Sequence, residues 1–471
     1  MNEQPSREFA DVPCLGCSCL CDDLTVRVEG HAVAQLDPAC PLAERWFAVP
    51  ADDAFPTSLL RGQPTEFEEC VAAAAAILRR ARWPLVFGLA DTNWEAQRAA
   101  VALADRLGAV IDTPTSSTHG PTLFSFPDVG ESTCTLGEVR ERADFVLFWN
   151  IDPTATHPRF VERYLPRDPA ALRVVVAEES HARKGALLPP RVREGGSRSE
   201  TGEGCPDAAE KPTPGLRPPS PKGRGVSSHD CGLAAEQRLT IRPGSSFTCF
   251  WTLRAILRGL PLKAKQVERQ TGVRLSDWQA LVERMVSSHY GTILTGDGRH
   301  GPLPHLASDA LGALVRELNA RARFVTMALR STRAGLSADQ VLTWQTGYPF
   351  AVSLAQGYPQ FGPGEFSAAA VLGRGEADAA LIVGPAALDV LPAKAVAHLA
   401  QIPHIVLAGN ESPLVQRADV AFRTARPGVG TAGRVHRLDD VPLPLRSVVE
   451  TSLPSDAAVL AALEQALAAS A

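Results

Sequence analysis

Short apolar segments alternate with helix-forming segments along most of this chain, and this alternation constrains the fold more than any other feature. An Ala-rich helix is predicted over 66–82, followed by the apolar segment PLVFGL and a second helix over 92–107. The segments at 145–152 and 173–178 are apolar almost throughout, which is typical of strands buried on both faces of a parallel sheet. The order of strand, helix and strand predicts an α/β fold with parallel sheets.

The same alternation continues in the second half of the chain. Helices are predicted through 247–289, and the elements beyond them are a strand at 291–296, a helix at 303–319, and strands at 323–328, 380–384, 404–409 and 420–424, with a helix at 392–401. Residues 188–236 interrupt the pattern with proline, glycine, serine and charge. Because such a segment cannot bury a core, we predict a disordered insert there.

A chain of 471 residues is longer than one hydrophobic core usually organises, so about three domains are expected. The N-terminal segment contains the short runs LTVRV and AVAQL, which predict a β-hairpin beside several cysteines. The predicted units are an N-terminal cysteine-rich domain at 1–62, a first α/β domain at 63–187 and 237–289, a second α/β domain at 290–450, and a C-terminal helix at 451–471.

Charge and hydropathy exclude several classes of function. The formal net charge is -5, and no cluster of basic residues with interleaved aromatics is present, so nucleic acid is not expected as a partner. The apolar runs fall short of the about 20 residues that a membrane-spanning helix needs. The first residues lack the pattern of a secretory signal, and the ten cysteines are therefore expected as thiols in the cytoplasm.

Four of the cysteines have the spacing of a metal or cluster site. Cys14, Cys17 and Cys21 follow a C-x2-C-x3-C pattern, and Cys40 comes later in DPACPLAE. Four thiolates so arranged suit a [4Fe-4S] cluster. A four-thiolate zinc site, and buried cysteines left after the loss of a cluster, are the alternatives, because the ligand set alone does not separate zinc from iron. Cys19 is an additional thiol within the same loop.

Three further motifs carry a family resemblance, namely IDTPTSSTHGPT at 111–122, TGYPFAVSLAQGYPQFGPGEF at 346–366 and PGVGTAGRVHRLDDVPLPLR at 427–446. Together with the cysteine motif, they make the chain resemble the B-type subunit of formylmethanofuran dehydrogenase, a relative of the molybdopterin oxidoreductases. The resemblance implies a small cluster domain and α/β domains that surround a tungsten or molybdenum pterin. It also implies that this chain lacks the C-terminal β-barrel domain of the long oxidoreductases.

The resemblance places two residues at the family's active site. In redox-active members a cysteine or selenocysteine precedes the His-Gly-Pro sequence and ligates the metal, whereas this chain has Thr118 there. A neutral hydroxyl is a poor substitute for a soft thiolate, so we expect the tungsten or molybdenum pterin to be absent. His119 matches the active-site histidine of the family, and a hydrogen-bonded core histidine is the alternative role for it.

The resemblance leaves two functions open. In the first, the chain is a structural subunit of a formyltransferase/hydrolase complex, which converts formyl-tetrahydromethanopterin to formate in one-carbon metabolism. Its partners would then be an amidohydrolase-like subunit, a formyltransferase-like subunit and a C-type subunit. In the second, the chain is an oxidoreductase that interconverts carbon dioxide and formate at a metal pterin. Thr118 favours the first function, and the four N-terminal cysteines favour the second.

Overall fold

The structure is a computed structural model, and it describes residues 6–48, 56–166, 168, 172–180, 235–297, 304–410 and 412–469. The insert predicted at 188–236 lies outside these ranges except for its last two residues. Among the described residues, no helix is both long and apolar enough to cross a membrane.

The N-terminal unit is a three-stranded antiparallel sheet formed by β1 (Ser6–Val12), β2 (Leu24–Glu29) and β3 (Ala32–Asp37). The pairing of β2 with β3 confirms the predicted hairpin. Strand β1 was not predicted, because its charged and mostly exposed sequence has no apolar alternation. The loop between β1 and β2 carries Cys14, Cys17, Cys19 and Cys21.

The remaining strands, in chain order, are β4 (Ser58–Leu60), β5 (Gln63–Pro64), β6 (Pro84–Gly88), β7 (Val110–Asp112), β8 (Phe145–Trp149), β9 (Arg173–Glu179), β10 (Gln237–Ile241), β11 (Tyr290–Thr295), β12 (Arg323–Ala328), β13 (Val352–Ser353), β14 (Gln360–Phe361), β15 (Ala379–Val383), β16 (His404–Ala408), β17 (Val420–Arg423), β18 (Gly433–His436) and β19 (Pro442–Leu445).

The helices, in chain order, are α1 (Pro41–Phe47), α2 (Phe67–Arg80), α3 (Trp94–Leu107), α4 (Thr115–Thr118), α5 (Gly120–Leu123), α6 (Phe126–Val129), α7 (Leu136–Arg142), α8 (Pro153–Thr156), α9 (Phe160–Tyr164), α10 (Ser246–Leu257), α11 (Ala264–Thr271), α12 (Leu275–Val286), α13 (Pro304–Leu318), α14 (Gly335–Thr346), α15 (Pro363–Phe366), α16 (Ala368–Arg374), α17 (Ala393–Leu399), α18 (Pro413–Arg417) and α19 (Asp456–Ala468). A 3₁₀ helix covers Pro385–Val390.

Two sheets form the body of the protein. The first contains nine strands in the order β14-β13-β7-β6-β15-β16-β17-β4-β5, with β7, β6, β15, β16 and β17 mutually parallel and antiparallel strands at both edges. The second contains five parallel strands in the order β10-β9-β8-β11-β12. The central strands are buried along their whole length, which confirms the predicted α/β fold with parallel sheets.

The sheets do not follow the domain boundaries predicted from the sequence. Strands β6 and β7, from the predicted first α/β domain at 63–187, lie in the nine-stranded sheet, whereas β8 and β9 of the same predicted domain lie in the five-stranded sheet. Strands β11 and β12, from the predicted second domain at 290–450, also join the five-stranded sheet. The prediction grouped strands by their order in the chain, but parallel strands pair over long sequence separations that local patterns do not record.

Local signals explain where single elements begin and end. Helix α3 begins after Asn93, whose side chain accepts a hydrogen bond from the backbone N–H of Ala96 at 3.1 Å. It ends at Gly108, which adopts the left-handed conformation with φ 59°. Strand β8 stops at Trp149 rather than at the predicted residue 152, because Asn150 adopts a φ of 52° that breaks the extended backbone.

Apolar layers cover both faces of each sheet. Helices α2, α3 and α19 pack on one face of the nine-stranded sheet, and α16 and α17 contribute to the layer on the other. The C-terminal helix α19 therefore belongs to this body. Helices α10, α12 and α13 cover one face of the five-stranded sheet, and the opposite layer joins its side chains Phe148 and Val176 to Leu15 and Leu20 of the cysteine loop. The cysteine loop is thus held against the five-stranded sheet.

Candidate functional site

The four predicted cluster ligands come together at the N-terminal sheet. The backbone N–H of Cys14 donates to the carbonyl of Cys21 at 2.9 Å, which closes the loop that carries three of them. Cys40 caps the N-terminus of α1, and its Sγ accepts a hydrogen bond from the backbone N–H of Ala43 at 3.4 Å. The Sγ of Cys14 accepts another from the N–H of Gly16 at 3.2 Å. Backbone donors of this kind stabilise thiolate charge.

Burial and mutual proximity control the acidity of these thiols. Burial raises the pKa of Cys14 well above its ordinary value, and the charges of Cys17, Cys21 and Cys40 raise it further. Burial also raises the pKa of Cys21 to about 12. Cys17 differs, because a hydrogen bond with the Cys19 side chain lowers its pKa. Cys19, the additional thiol of the motif, therefore supports Cys17 directly.

The chemistry of the four thiols is that of possible cluster ligands. Within the described ranges, no group of three or more His, Cys, Asp or Glu side chains is arranged to hold one metal ion. A cubane cluster does not require such convergence, because each thiolate binds a different iron atom. The gathering of four thiols and the N–H donors to two of their sulfurs fit a cluster with Cys14, Cys17, Cys21 and Cys40 as its ligands.

Ion pairs and hydrogen bonds fix the cysteine loop to the five-stranded sheet. Arg159, which precedes α9, donates to both carboxylate oxygens of Asp23 at 2.8 Å. The hydroxyl of Ser18 donates to the carbonyl of Arg330 at 2.8 Å and also hydrogen bonds His157 Nε2 at 3.0 Å. Because Arg330 follows the end of β12, the loop is attached where the strands of that sheet end.

Two buried carboxylates position the segment that contains Thr118 and His119. Asp112, the last residue of β7, accepts hydrogen bonds from the Ser116 hydroxyl at 2.8 Å and from the backbone N–H groups of Ala351 and Ala368 at 2.9 and 2.7 Å. Its side chain is fully buried, and burial raises its pKa to about 7 against the opposing effect of these donors. Asp112 therefore joins α4 to two segments near the edge of the nine-stranded sheet.

Asp339, on α14, holds the other side of the same segment. One carboxylate oxygen accepts hydrogen bonds from the hydroxyls of Thr113 and Thr115 at 2.8 and 2.5 Å. The other forms an ion pair with Arg330 at 3.2 Å. Through its side chain and its carbonyl, Arg330 thus connects the Thr113–Thr115 region to Ser18 in the cysteine loop.

Thr118 does not have the surroundings of a metal ligand. Its side chain is buried, and its hydroxyl donates to the carbonyl of Pro114 at 3.4 Å within the same helical turn. A hydroxyl engaged with the backbone, and with a far higher pKa than a thiol, does not fit the position of the metal-ligating thiolate. The residues present at this position therefore do not fit a tungsten or molybdenum centre.

His119 is buried next to Thr118, and one of its ring nitrogens lacks a hydrogen-bond partner among the described residues. Its Nδ1 atom is buried without a hydrogen-bond partner among the described residues. Burial, and to a smaller extent the charge of Arg330, lowers the pKa of His119 well below its ordinary value, so the imidazole is neutral. The prediction of a hydrogen-bonded core histidine is therefore only half met, since His119 is in the core but leaves this atom unpaired.

A polar groove lies at the carboxyl ends of the strands, where ligands bind in open α/β folds. It consists of two adjoining cavities of about 480 and 360 Å³ that share Gly16, Leu42, Asp91 and Arg333. Cys17 and Pro114 line the smaller cavity, and Arg45 and Arg426 line the larger one. Arg333 forms an ion pair with Asp91, and Arg426 donates to the backbone carbonyls of α1, so Arg45 is the guanidinium best suited to an anionic ligand such as a phosphate ester. The groove therefore begins at the cysteine loop and passes the start of the Thr118 segment.

The sequence indicated the cysteines, Thr118 and His119 but not the supporting residues Asp112, Asp339 and Arg330. Asp112 carried a usable signal, because it ends an apolar strand at the sheet edge where polar groups of α/β sites gather. Asp339 carried none, because Thr113 and Thr115 lie 226 and 224 residues away in the chain. Its place within a helix of mixed composition gives no local indication of that contact.

Comparison with characterised proteins identifies the family. Over 93% of its length, the chain is 31% identical to the B-type subunit of the tungsten-containing formylmethanofuran dehydrogenase 2 of Methanocaldococcus jannaschii, and it covers 93% of that protein. The chain belongs to the family of formylmethanofuran dehydrogenase B-type subunits. A second family member, the corresponding tungsten-containing protein of Methanococcus maripaludis, is 28% identical over 96% of the chain and is covered to 97%. No protein-family model matches the chain.

A bacterial relative and two solved structures extend this comparison. The B-type subunit of the formyltransferase/hydrolase complex Fhc from Methylorubrum extorquens is 26% identical to this family member over 79% of the chain, and 86% of that protein is covered. The crystal structure of the FhcABCD complex with methylofuran matches with a TM-score of 0.64, covering 88% of this chain and 99% of the other. Acetylene hydratase from Pelobacter acetylenicus matches with a TM-score of 0.61 at 10% identity, covering 98% of this chain and 69% of the other. Both likenesses confirm the molybdopterin-oxidoreductase-type fold.

Proposed function

We propose that this chain is the B-type subunit of a formyltransferase/hydrolase complex and that it has a structural rather than a redox role. The complex would convert formyl-tetrahydromethanopterin to formate in one-carbon metabolism. The observation that carries the proposal is Thr118, which occupies the position of the family's metal ligand and directs its hydroxyl to the Pro114 carbonyl. Without a thiolate at this position, the chain lacks the side chain on which metal chemistry in the family depends.

In this proposal, a [4Fe-4S] cluster at Cys14, Cys17, Cys21 and Cys40 stabilises the N-terminal domain. Such a cluster would link α1 to the loop between β1 and β2, and a metal site that joins separate segments contributes directly to folding. The hydrogen bond of Ser18 to Arg330 and the ion pair of Asp23 with Arg159 would then hold the ordered loop against the five-stranded sheet. The eight described cysteines form no disulfide with one another, and we propose a reducing location such as the cytoplasm.

The proposed partners are an amidohydrolase-like subunit, a formyltransferase-like subunit and a C-type subunit. Support comes from the relative in Methylorubrum extorquens, whose name and structure place it in a complex of four kinds of subunit, FhcABCD. In such an assembly the hydrolysis and the formyl transfer would take place on the partner proteins. This chain would supply a rigid α/β body on which they assemble.

A second candidate is a redox-active formylmethanofuran dehydrogenase subunit that interconverts carbon dioxide and formate. Two observations favour it, namely the four gathered thiols and the 31% identity to a tungsten-containing relative. The groove beside Cys17 would in that case hold the phosphates of a pterin cofactor, with Arg45 as a cationic partner. A group other than Thr118 would have to bind the metal.

Purification of the tagged full-length chain from its own host tests the proposal. We expect the amidohydrolase-like and formyltransferase-like proteins to co-purify, and the complex to release formate from formyl-tetrahydromethanopterin without an electron acceptor. The variant Thr118→Val, which removes the hydroxyl but keeps the shape of the side chain, should leave formate release unchanged. Formate-dependent reduction of a viologen dye by the wild-type complex would instead establish the redox function.

A further inference from the structure

A second cavity lies apart from the groove, on the other side of the α4 segment. It is bounded by α13, by the chain from α5 to Ser132 and by the end of β12, and we call it the α13 cavity. His119 lines the α13 cavity, whereas Pro114 lines the groove, and the two spaces have no lining residue in common. The α13 cavity is therefore distinct from the groove.

The dimensions of the α13 cavity are those of a small-molecule site. Its volume is about 310 Å³, which is at the lower end of the range of about 300 to 1,000 Å³ found for ligand pockets. Along α13 it extends from Ala307 to Arg316, which corresponds to about 14 Å at the helical rise per residue. The space is therefore elongated and suits a single ring with a short chain.

The walls of the α13 cavity are mostly apolar, and the two charged side chains that also line it, Glu131 and Arg316, are exposed. Phe126, Leu311 and Met327 are among the apolar side chains that line it. The Ser125 hydroxyl donates to the Thr122 carbonyl at 2.7 Å, and the Ser132 hydroxyl donates to the Phe324 carbonyl at 3.1 Å. Because these two hydroxyls have partners within the protein, the apolar part of a ligand can lie against them without leaving them unpaired.

One polar group in the α13 cavity has no partner. Among its described lining residues, the buried side-chain atom without a hydrogen bond is Nδ1 of His119, on a side chain that is only 4% exposed. Because burial keeps the imidazole uncharged, it attracts no anion and can form one ordinary hydrogen bond, as donor or acceptor according to its tautomer. Buried polar groups without a partner in the protein commonly have one in water or a ligand.

We propose that the α13 cavity binds a small neutral organic molecule with an elongated apolar body and one hydrogen-bonding group that pairs with His119. The apolar walls would bind the body, and Nδ1 of His119 would fix its orientation. This site does not depend on the role proposed for Thr118 or on which complex contains the chain. It assigns a function to His119 that does not require a metal.

Titration of the purified full-length protein with two neutral probes tests this site by isothermal calorimetry. 4-Ethylphenol offers a hydroxyl donor, and 4-methylcyclohexanone offers a carbonyl acceptor, so the two probes cover both tautomers of His119. We expect saturable binding of one probe per chain with a dissociation constant below about 1 mM. The matching hydrocarbon without the polar group should bind about fivefold more weakly or worse, because it leaves Nδ1 unpaired.

Variants locate the binding site. His119→Phe and Leu311→Trp should each weaken binding at least about tenfold, the first by removing the hydrogen bond and the second by filling the space. Ala307→Leu also reduces the volume of the cavity, with a smaller increase in side-chain size, and it replaces Leu311→Trp as the test if that variant does not fold. Phe124→Ala, an exposed aromatic outside the cavity lining, should bind as the wild type does. Absence of saturable binding for both probes, or equal binding in the cavity variants, would overturn the proposal.

Discussion

The ion pair between Asp339 and Arg330 should be a main support of the Thr118 segment, and the substitution Asp339→Asn tests this. The two side chains are 7% and 12% exposed and lie 3.2 Å apart. Removal of one partner of a buried ion pair typically lowers the free energy of unfolding by about 3 to 5 kcal/mol, because the other charge stays buried without a counter-charge. Asparagine keeps one oxygen for Thr113 and Thr115, so we expect a loss near the lower limit, about 3 kcal/mol.

A double-mutant cycle distinguishes the loss of this ion pair from nonspecific destabilisation of the fold. Arg330→Met should also destabilise the protein, and the double variant should be less destabilised than the sum of the two by about 2 kcal/mol, since neither charge is then left alone. Asp277→Asn is the matched control. Asp277 pairs with Arg274, and the two side chains are 29% and 70% exposed. Loss of this surface ion pair should change the free energy of unfolding by less than about 1 kcal/mol.

Urea unfolding at pH 8 measures these free energies, and amide hydrogen exchange gives a local readout. The N–H of His119 donates to the Thr115 carbonyl at 2.7 Å, and its exchange should accelerate in Asp339→Asn but not in Asp277→Asn. An Asp339→Asn protein within about 1 kcal/mol of the wild type, with unchanged exchange at His119, would refute the role given to this carboxylate.

Asp112, the cysteines and Thr118 each allow a further prediction. Burial raises the pKa of Asp112 to about 7 from 3.8, so the folded state retains a proton that the unfolded state releases. The contribution of Asp112 to the free energy of unfolding should therefore be greatest below about pH 4 and should fall by up to about 4 kcal/mol as the pH rises through 7. Urea unfolding at pH 5 and pH 8 should show this dependence in the wild type and a weaker one in Asp112→Asn. Cys17→Ser should lower the iron content and the yield of assembled complex more than Cys19→Ser does, and an unchanged yield would contradict a stabilising cluster. Thr118→Val should leave the tungsten and molybdenum content unchanged by elemental analysis, because the Thr118 hydroxyl donates to the Pro114 carbonyl.

Local patterns were sufficient for most elements of the sheets. The strand predicted at 404–409 is His404–Ala408, and the helix predicted at 303–319 is Pro304–Leu318, because apolar periodicity and flanking breakers act over a few residues. The membership of the two sheets could not be predicted in this way. Strand β8 pairs with β11, about 145 residues later in the chain, and nothing within either strand specifies that neighbour.

The sequence predicted only those site residues that belong to a short motif. The cysteines and the Thr118–His119 pair lie within such motifs, and their roles at a cluster and at an active site stay predictions. Asp339 and Arg330 belong to the same site through contacts with residues more than 200 positions away, at Thr113 and at Ser18. The free Nδ1 of His119 could not be predicted either, since it depends on the side chains that surround it.

Metal content distinguishes a structural cluster from a redox centre in this chain. Iron, tungsten and molybdenum should be quantified in the complex after purification without oxygen. We predict about four iron atoms per chain, with tungsten and molybdenum far below one per chain. Tungsten or molybdenum close to one atom per chain, together with extractable pterin, would contradict the structural role and establish the redox-active function instead.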